Sequence, residues 1–535
     1  MRYRALALMA LLITPVALAQ FPPQIKNIVV IVQENRTPDN LFHFLTPACP
    51  LPSLAIGLRA CTPVFVTPGC YDISPCGLSN QSGVAVPVTL TPIPLSEKVD
   101  PNHAHTGFEA MCDRDPNTFE CRNDGAWRLT VQPGYSYSYV DDRPVTNSDG
   151  TPGHLLDPYL TFAKQYGWAN FMFQTNQGPS YPAHQFLFGG TSARSADDDA
   201  NSTFVSENFD SKAYTEDAGC LSSSQSTNWI LSPAIDSPPD DCRLFDNGSV
   251  QECPIANTDL RFPTQPAGSF CTDHPSMADL LEPQSISWKY YAPSPGSIWT
   301  APDAIKSICQ PQFVDPNNPK SAVECTGKEW NAHVDVKNLG TDILRDIANC
   351  NLSRVSWVNP DGRWSDHSAL GDAYGPSWVA AVINAIGNNS KCAPGTAGAG
   401  ETYWQDTAII VTWDDWGGWS DNQPPLSASR LPCKSKDCQA DYQYGFRVPL
   451  IVVSAYTPAG YIDNIPRDFG SILRMIEGVN HLPEGALGFA DARSATDLHE
   501  FFTLTTPRFY YAVPAQKSAH FFLTFKGKPT DPDDD

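Results

Sequence analysis

Polar groups able to hold a cation follow two of the most apolar runs in the chain. Asn27–Val32 is a β-branched run suited to a strand buried on both faces, and after Gln33 it gives way to Glu34, Asn35 and Arg36. Thr407–Trp413 is a second such run and ends in Asp414-Asp415-Trp416-Gly417-Gly418. Adjacent carboxylates at the end of a hydrophobic strand are costly to desolvate unless a cation lies beside them, and their oxygens suit a hard divalent ion. Trp413, Trp416 and Trp419 argue against a solvated acidic turn, the plain alternative. In open α/β sheets ligands collect beyond the carboxyl ends of the strands, where these four side chains are expected to lie.

A nucleophile and several histidines accompany them. In Gly178-Pro179-Ser180-Tyr181-Pro182-Ala183-His184, a turn leads to Ser180 at the expected start of a helix. Unpaired N–H groups and the positive dipole end there lower the cost of an attacking oxyanion, although serine also serves simply as an N-cap. The stretch is not a G-x-S-x-G elbow, because prolines flank the serine. Asp366-His367 follows the short strand Arg354–Val358, and a carboxylate beside an imidazole can fix its tautomer. His103 and His105 stand two apart in a polar turn. They would share a face only on a strand. His333, just before a helical segment at Leu339–Ala348, reads more readily as a packed histidine.

The elements that must position these groups are alternating strands and helices. Strands are expected at Trp168–Gln174, Ser285–Tyr291 and Phe446–Ser454, and helices at Leu155–Tyr166 with Gly167 as C-cap, Ser377–Ile386 and Asp468–Glu477. Two loop excursions, about 46–101 and 192–275, are rich in cysteine and polar residues and read as insertions. Arg2 and Arg4 precede an apolar run ending in Ala17-Leu18-Ala19, so residues 1–19 read as a signal peptide and Gln20 as the mature start. All 16 cysteines lie beyond it, which favours disulfides in an exported chain; Cys112 with Cys121 and Cys433 with Cys438 are expected local pairs. The net charge of −23 becomes about −25 without Arg2 and Arg4, which argues against nucleic acid and anionic membranes as partners. No later stretch is apolar enough to span a bilayer.

Taken in order, strand-Glu34-Asn35-Arg36, Gly178-Pro179-Ser180-x-Pro182, Ser365-Asp366-His367 and strand-Asp414-Asp415-x-Gly417-Gly418 resemble the phosphoesterase family of bacterial phospholipases C and a related acid phosphatase, within the alkaline phosphatase superfamily. The likeness runs from about Lys26 to Glu477. It implies that Glu34, Asn35, Asp414 and Asp415 hold a divalent metal ion, that Ser180 is the nucleophile, and that His367, with Asp366, serves the phosphoryl group or the leaving oxygen. His103 and His333 fall where relatives place further histidines, and His105 and His184 complete the expected substrate-binding set. Two departures stand out: Pro182-Ala183 where many relatives read Pro-Asn, and Asp414-Asp415 where many read Asp-Glu. A sulfatase is unlike this chain, because Cys61-Thr62-Pro63-Val64-Phe65 lacks the arginine of C-x-P-x-R.

The expectation is therefore a three-layer α/β/α sandwich around a mostly parallel sheet, alkaline phosphatase-like, with one phosphoesterase domain over 20–510 and a tail over 511–535 of which Asp531–Asp535 is disordered. Its function would be that of an exported, metal-dependent phosphoric ester hydrolase acting on a phospholipid or a soluble ester. An exported, disulfide-bonded binding protein that keeps the fold without turnover is the alternative.

Overall fold

The computed structural model describes residues 21–530 apart from 52–60, 62–68, 116–119, 131, 133, 201–203, 211–217, 222–225, 232–270, 316–322, 390–402 and 427–442. The expected signal peptide, the Cys433 to Cys438 pair and Asp531–Asp535 lie outside the described residues.

An eight-stranded sheet forms the centre. In chain order its strands are β1 Asn27–Gln33, β2 Gly167–Ala169, β3 Trp288–Tyr291, β4 Val334–Asp335, β5 Val355–Val358, β6 Thr407–Trp413, β7 Leu450–Ser454 and β8 Tyr461–Asp463. They lie in the order β4-β3-β5-β1-β6-β7-β2-β8. Strand β7 runs against both its neighbours, and every other pairing is parallel. Every residue of β1 and β6 is buried, which explains their unbroken apolar runs.

Register assigns the two flanking layers. Trp357 pairs with Val30 and Val30 with Ile410, so the three share one face, and Trp413, three residues beyond Ile410, points to the other. On the first face the Trp357 indole donates to the carbonyl of Leu187 at 3.0 Å, within helix α3, Ser180–Gly189. On the second, Trp413 meets the ring of Tyr159 edge-on at 5.2 Å, within α2, Asp157–Gln165. Helix α4, Gly375–Gly387, packs on α2, and α5, Phe469–Val479, packs on α3. The result is the expected sandwich, with β1 between β5 and β6.

Two local expectations are corrected. Gly167 opens β2 rather than capping α2; a Cβ there would lie 2.4 Å from the Phe501 ring, so contact rather than capping calls for glycine. The segment from 511 is no tail up to Thr530. Phe522 is buried against Trp364 and Trp378, with ring centroids 5.4 and 5.2 Å apart, and the Thr530 amide donates to Asp361 at 2.9 Å. Five disulfides join described cysteines, Cys49–Cys70, Cys61–Cys76, Cys112–Cys121, Cys220–Cys271 and Cys309–Cys325, and no described cysteine is free. No helix among the described residues is long and apolar enough to cross a membrane.

Candidate active site

Three adjacent strands, β5, β1 and β6, end at the same edge of the sheet, and the polar groups that follow them converge there. Where β1 ends, Asn35 takes a left-handed backbone, φ 59°, which asparagine tolerates better than most residues. That turn aims its amide N–H at Asp414 Oδ1, 2.9 Å away. Gly417 and Gly418 also have positive φ, 61° and 68°. A Cβ on Gly417 would lie 2.3 Å from the Asn35 carbonyl oxygen and one on Gly418 2.6 Å from Pro101, so the two glycines let three loops close over the site.

Ser180 is the first residue of α3 and fully buried. Its Oγ lies 3.4 Å from Glu34 Oε2, 3.4 Å from Asn35 Oδ1 and 3.3 Å from Asp415 Oδ2. One helical turn on, His184 brings Nε2 to 3.2 Å from Glu34 Oε1 and 3.8 Å from Asp414 Oδ2. Glu34 Oε1, Asp414 Oδ2 and both ring nitrogens of His184 are buried with no aligned hydrogen-bond partner. Burial first, and then Asp414 and Asp415, push the Glu34 carboxyl well above its ordinary range. Burial works on Asp414 too, but His184 and the hydrogen bonds from Glu34 and Ser180 outweigh it and hold its charge. Burial also drives His184 down to about 4, so the ring is neutral and its lone pair free. This donor set fits a divalent cation: oxygens of Glu34, Asn35, Asp414 and Asp415 surround Ser180, and some of them lack any other partner.

The histidines divide. His103 is anchored through Nδ1 on the Pro101 carbonyl at 2.8 Å, and its Nε2 lies 2.8 Å from Asn35 Nδ2. With Nδ1 as donor, Nε2 accepts from the Asn35 amide, which turns Asn35 Oδ1 toward Ser180, so His103, expected at the substrate, is in contact with Asn35. His367, with its ring 5.8 Å from that of His103, is buried, and its Nε2 has no hydrogen-bond partner. Burial lowers its pKa. His105 opens helix α1, His105–Cys112, and holds the carbonyl of Gln177 at 2.8 Å, tying the two loops together ahead of Ser180. His103 and His105 thus hold different carbonyls, that of Pro101 and that of Gln177, and His105 lies on a helix rather than on the strand that would give the two one face.

The Asp366-His367 dyad does not form. His367 Nδ1 faces the Ser368 carbonyl, while the Asp366 carboxylate accepts from Tyr159 at 2.8 Å and from the Trp413 indole at 3.0 Å. Consecutive residues in a tight loop point apart, so adjacency in sequence gave no contact. Burial raises the Asp366 carboxyl to about 6. The loop is held instead by Arg36, whose Nε donates to the Asp366 carbonyl at 2.8 Å, and by Gln33, which accepts from the Asp366 amide at 3.1 Å. His333 is also displaced. It precedes the edge strand β4, stacks on Trp288 at 4.5 Å and bonds the Trp288 carbonyl, at the amino end of β3 and so at the opposite end of the sheet.

A family model for the phosphoesterase family matches residues 25–483. The chain belongs to the phosphoesterase family. A non-hemolytic phospholipase C of Burkholderia pseudomallei is 25% identical over 230 residues, covering 37% of this chain and 31% of that protein. Phospholipase C A of Mycobacterium tuberculosis is 25% identical over 214 residues, covering 37% of this chain and 38% of that protein. The match thus spans about a third of either relative. A solved protein of the alkaline phosphatase superfamily from Vibrio parahaemolyticus covers 62% of this chain with 10% identity and a TM-score of 0.28, a likeness too slight to carry more.

In this member of the phosphoesterase family, two neighbours of the site carry no mark among the motifs drawn from the sequence. Asn359 directly follows β5, as Asp414 follows β6, and its buried Oδ1 has no partner, so the rule that singled out Asp414 applied equally to it. Trp299 lies 6.4 Å from the His184 ring and 6.2 Å from that of His367, on a loop whose sequence carries no signal for the position.

Proposed function

We propose that this phosphoesterase is an exported hydrolase of phosphoric esters that depends on a divalent metal ion and uses Ser180 as its nucleophile. The observation that carries this is the approach of Ser180 Oγ to Glu34, Asn35 and Asp415 within 3.3 to 3.4 Å, at a helix start and in a fully buried site. Glu34, Asn35, Asp414 and Asp415 would hold the ion, which when bound lowers the proton affinity of a nearby hydroxyl and neutralises charge on phosphoryl oxygens. Ser180 gives its proton to a neighbouring carboxylate, attacks phosphorus in line, and the ester P–O bond opposite breaks. A phosphoseryl ester forms and the alcohol leaves with the proton the carboxylate took from Ser180. Water then attacks phosphorus and gives a proton to that carboxylate, the Ser180–phosphorus bond breaks, and Ser180 takes that proton as inorganic phosphate or a phosphomonoester departs. The arriving anion raises the proton affinity of His367, so its Nε2 meets the phosphoryl or leaving oxygen as a donor. Export is supported by the N-terminal sequence and by disulfides among the described residues.

The test is hydrolysis of p-nitrophenyl phosphate, p-nitrophenylphosphorylcholine and phosphatidylcholine by purified protein and by Ser180→Ala. Turnover that falls by about 10⁴-fold or more in the variant supports the assignment, and the preferred substrate separates monoesterase from phospholipase C. Equal rates in the two proteins would remove Ser180 from the mechanism.

A further inference from the structure

On the reading just given, the cation is held by oxygens alone. We infer that His184 adds a nitrogen ligand to that set, and that the site therefore selects a transition-series divalent ion such as Mn²⁺, Co²⁺ or Zn²⁺ over Mg²⁺ or Ca²⁺. Ser180 and His184 are i and i+4 on α3, so both side chains project from one face, one turn apart, into the same space. His184 Nε2 stands 3.2 Å from Glu34 Oε1 and 3.8 Å from Asp414 Oδ2, spacings that neighbouring donors take around one ion at ordinary bond lengths of about 2.0–2.2 Å. An ordinary histidine–carboxylate hydrogen bond would align an N–H on one oxygen. Here all three atoms lack an aligned partner although their side chains are fully buried. Three such atoms facing one another outline a space that suits a cation. Trp299 flanks the ring and Asn359 is a polar neighbour of it, so the second nitrogen has a candidate partner of its own while Nε2 faces the acids. An imidazole in a carboxylate set favours later first-row metals, because affinity for nitrogen rises along that row while Mg²⁺ and Ca²⁺ keep to oxygen.

The inference is tested with the full-length protein stripped by chelator and reloaded with Mn²⁺, reading metal content and the electron spin-echo modulation from ¹⁴N and from ¹⁵N-histidine. One bound ion with coupling to a single imidazole nitrogen is expected. In His184→Ala, checked for folding by circular dichroism, that coupling should vanish. Affinity for Mn²⁺ and Co²⁺ should fall by more than the about 10- to 100-fold lost with an outer-shell partner, and affinity for Mg²⁺ by less. His184→Gln, which offers an oxygen instead, replaces the alanine variant if that one does not fold. Metal bound by wild type without nitrogen coupling, or coupling that survives in the variant, overturns the role of His184 while leaving metal-dependent hydrolysis intact. Wild type that takes up no divalent ion overturns both.

Discussion

Two groups of buried carboxylates among the described residues meet their charge in different ways. Asp39, Asp72 and Asp421 surround Arg447, and all four side chains are essentially inaccessible. The guanidinium donates to Asp421 at 2.7 and 2.9 Å and to Asp72 at 3.2 Å. Asp39 takes the amides of Ser74 at 2.7 Å and Asn422 at 2.8 Å. Every carboxylate oxygen there has a donor, so the cluster locks the 46–101 excursion onto the core. Glu34 and Asp414 are as deeply buried, yet the basic side chain set against them is His184, which burial keeps neutral, and Glu34 Oε1 and Asp414 Oδ2 have no aligned hydrogen-bond partner. A buried acid cluster with an internal cation is architecture. The second cluster, on the proposed reading, takes its cation from outside. A third pair settles its charge with a proton: Glu477, pressed by burial and by Asp491 up to about 8, accepts from the amides of Gly485 and Ala486 at 2.7 and 2.9 Å.

The contrast can be broken most sharply at the site itself. Asp414→Asn should lower turnover by about 10³-fold or more while the circular dichroism spectrum of the metal-free protein stays that of wild type, since the amide oxygen still accepts from Asn35; a variant that does not fold would make Asp414 structural. The reverse is expected of Arg447→Met. Stranding three acids should cost about 3–5 kcal/mol in chemical denaturation, with turnover per folded molecule kept, and a stability loss under about 1 kcal/mol would erase the distinction. Glu477 gives a smaller effect. Its raised pKa contributes stability that is complete below its ordinary value near 4.5 and is lost as pH rises through about 8, so Glu477→Gln should flatten the fall in stability seen in chemical denaturation across that window. Least of all is expected from His333→Ala, at the far end of the sheet: turnover within about two-fold and stability within about 1 kcal/mol, whereas a large loss of turnover would return His333 to the site.

The difference between the two clusters was only half legible in the sequence. Strands β1 and β6 were readable because burial on both faces requires unbroken apolar runs, and their carboxyl ends pointed to Glu34, Asn35, Asp414 and Asp415. Ser180 was readable as a helix start from the Gly178-Pro179 turn. Asp39, Asp72, Asp421 and Arg447 were invisible, because they come from four separated segments and only the fold makes them neighbours. Short-range histidine patterns misled for a related reason: in loops, His103 and His105 or Asp366 and His367 are aimed by the partners of each residue, not by the spacing between them. Asn359 was within reach of the strand-end rule and was not drawn from it.

The most direct measurement is p-nitrophenyl phosphate hydrolysis by chelator-treated protein whose metal content is established by mass spectrometry, before and after adding back Mn²⁺. Activity should vanish with the ion and return at about one equivalent, while the Arg447 cluster holds the fold throughout. Undiminished hydrolysis by metal-free protein would contradict the assignment of the unneutralised carboxylates as a cation site.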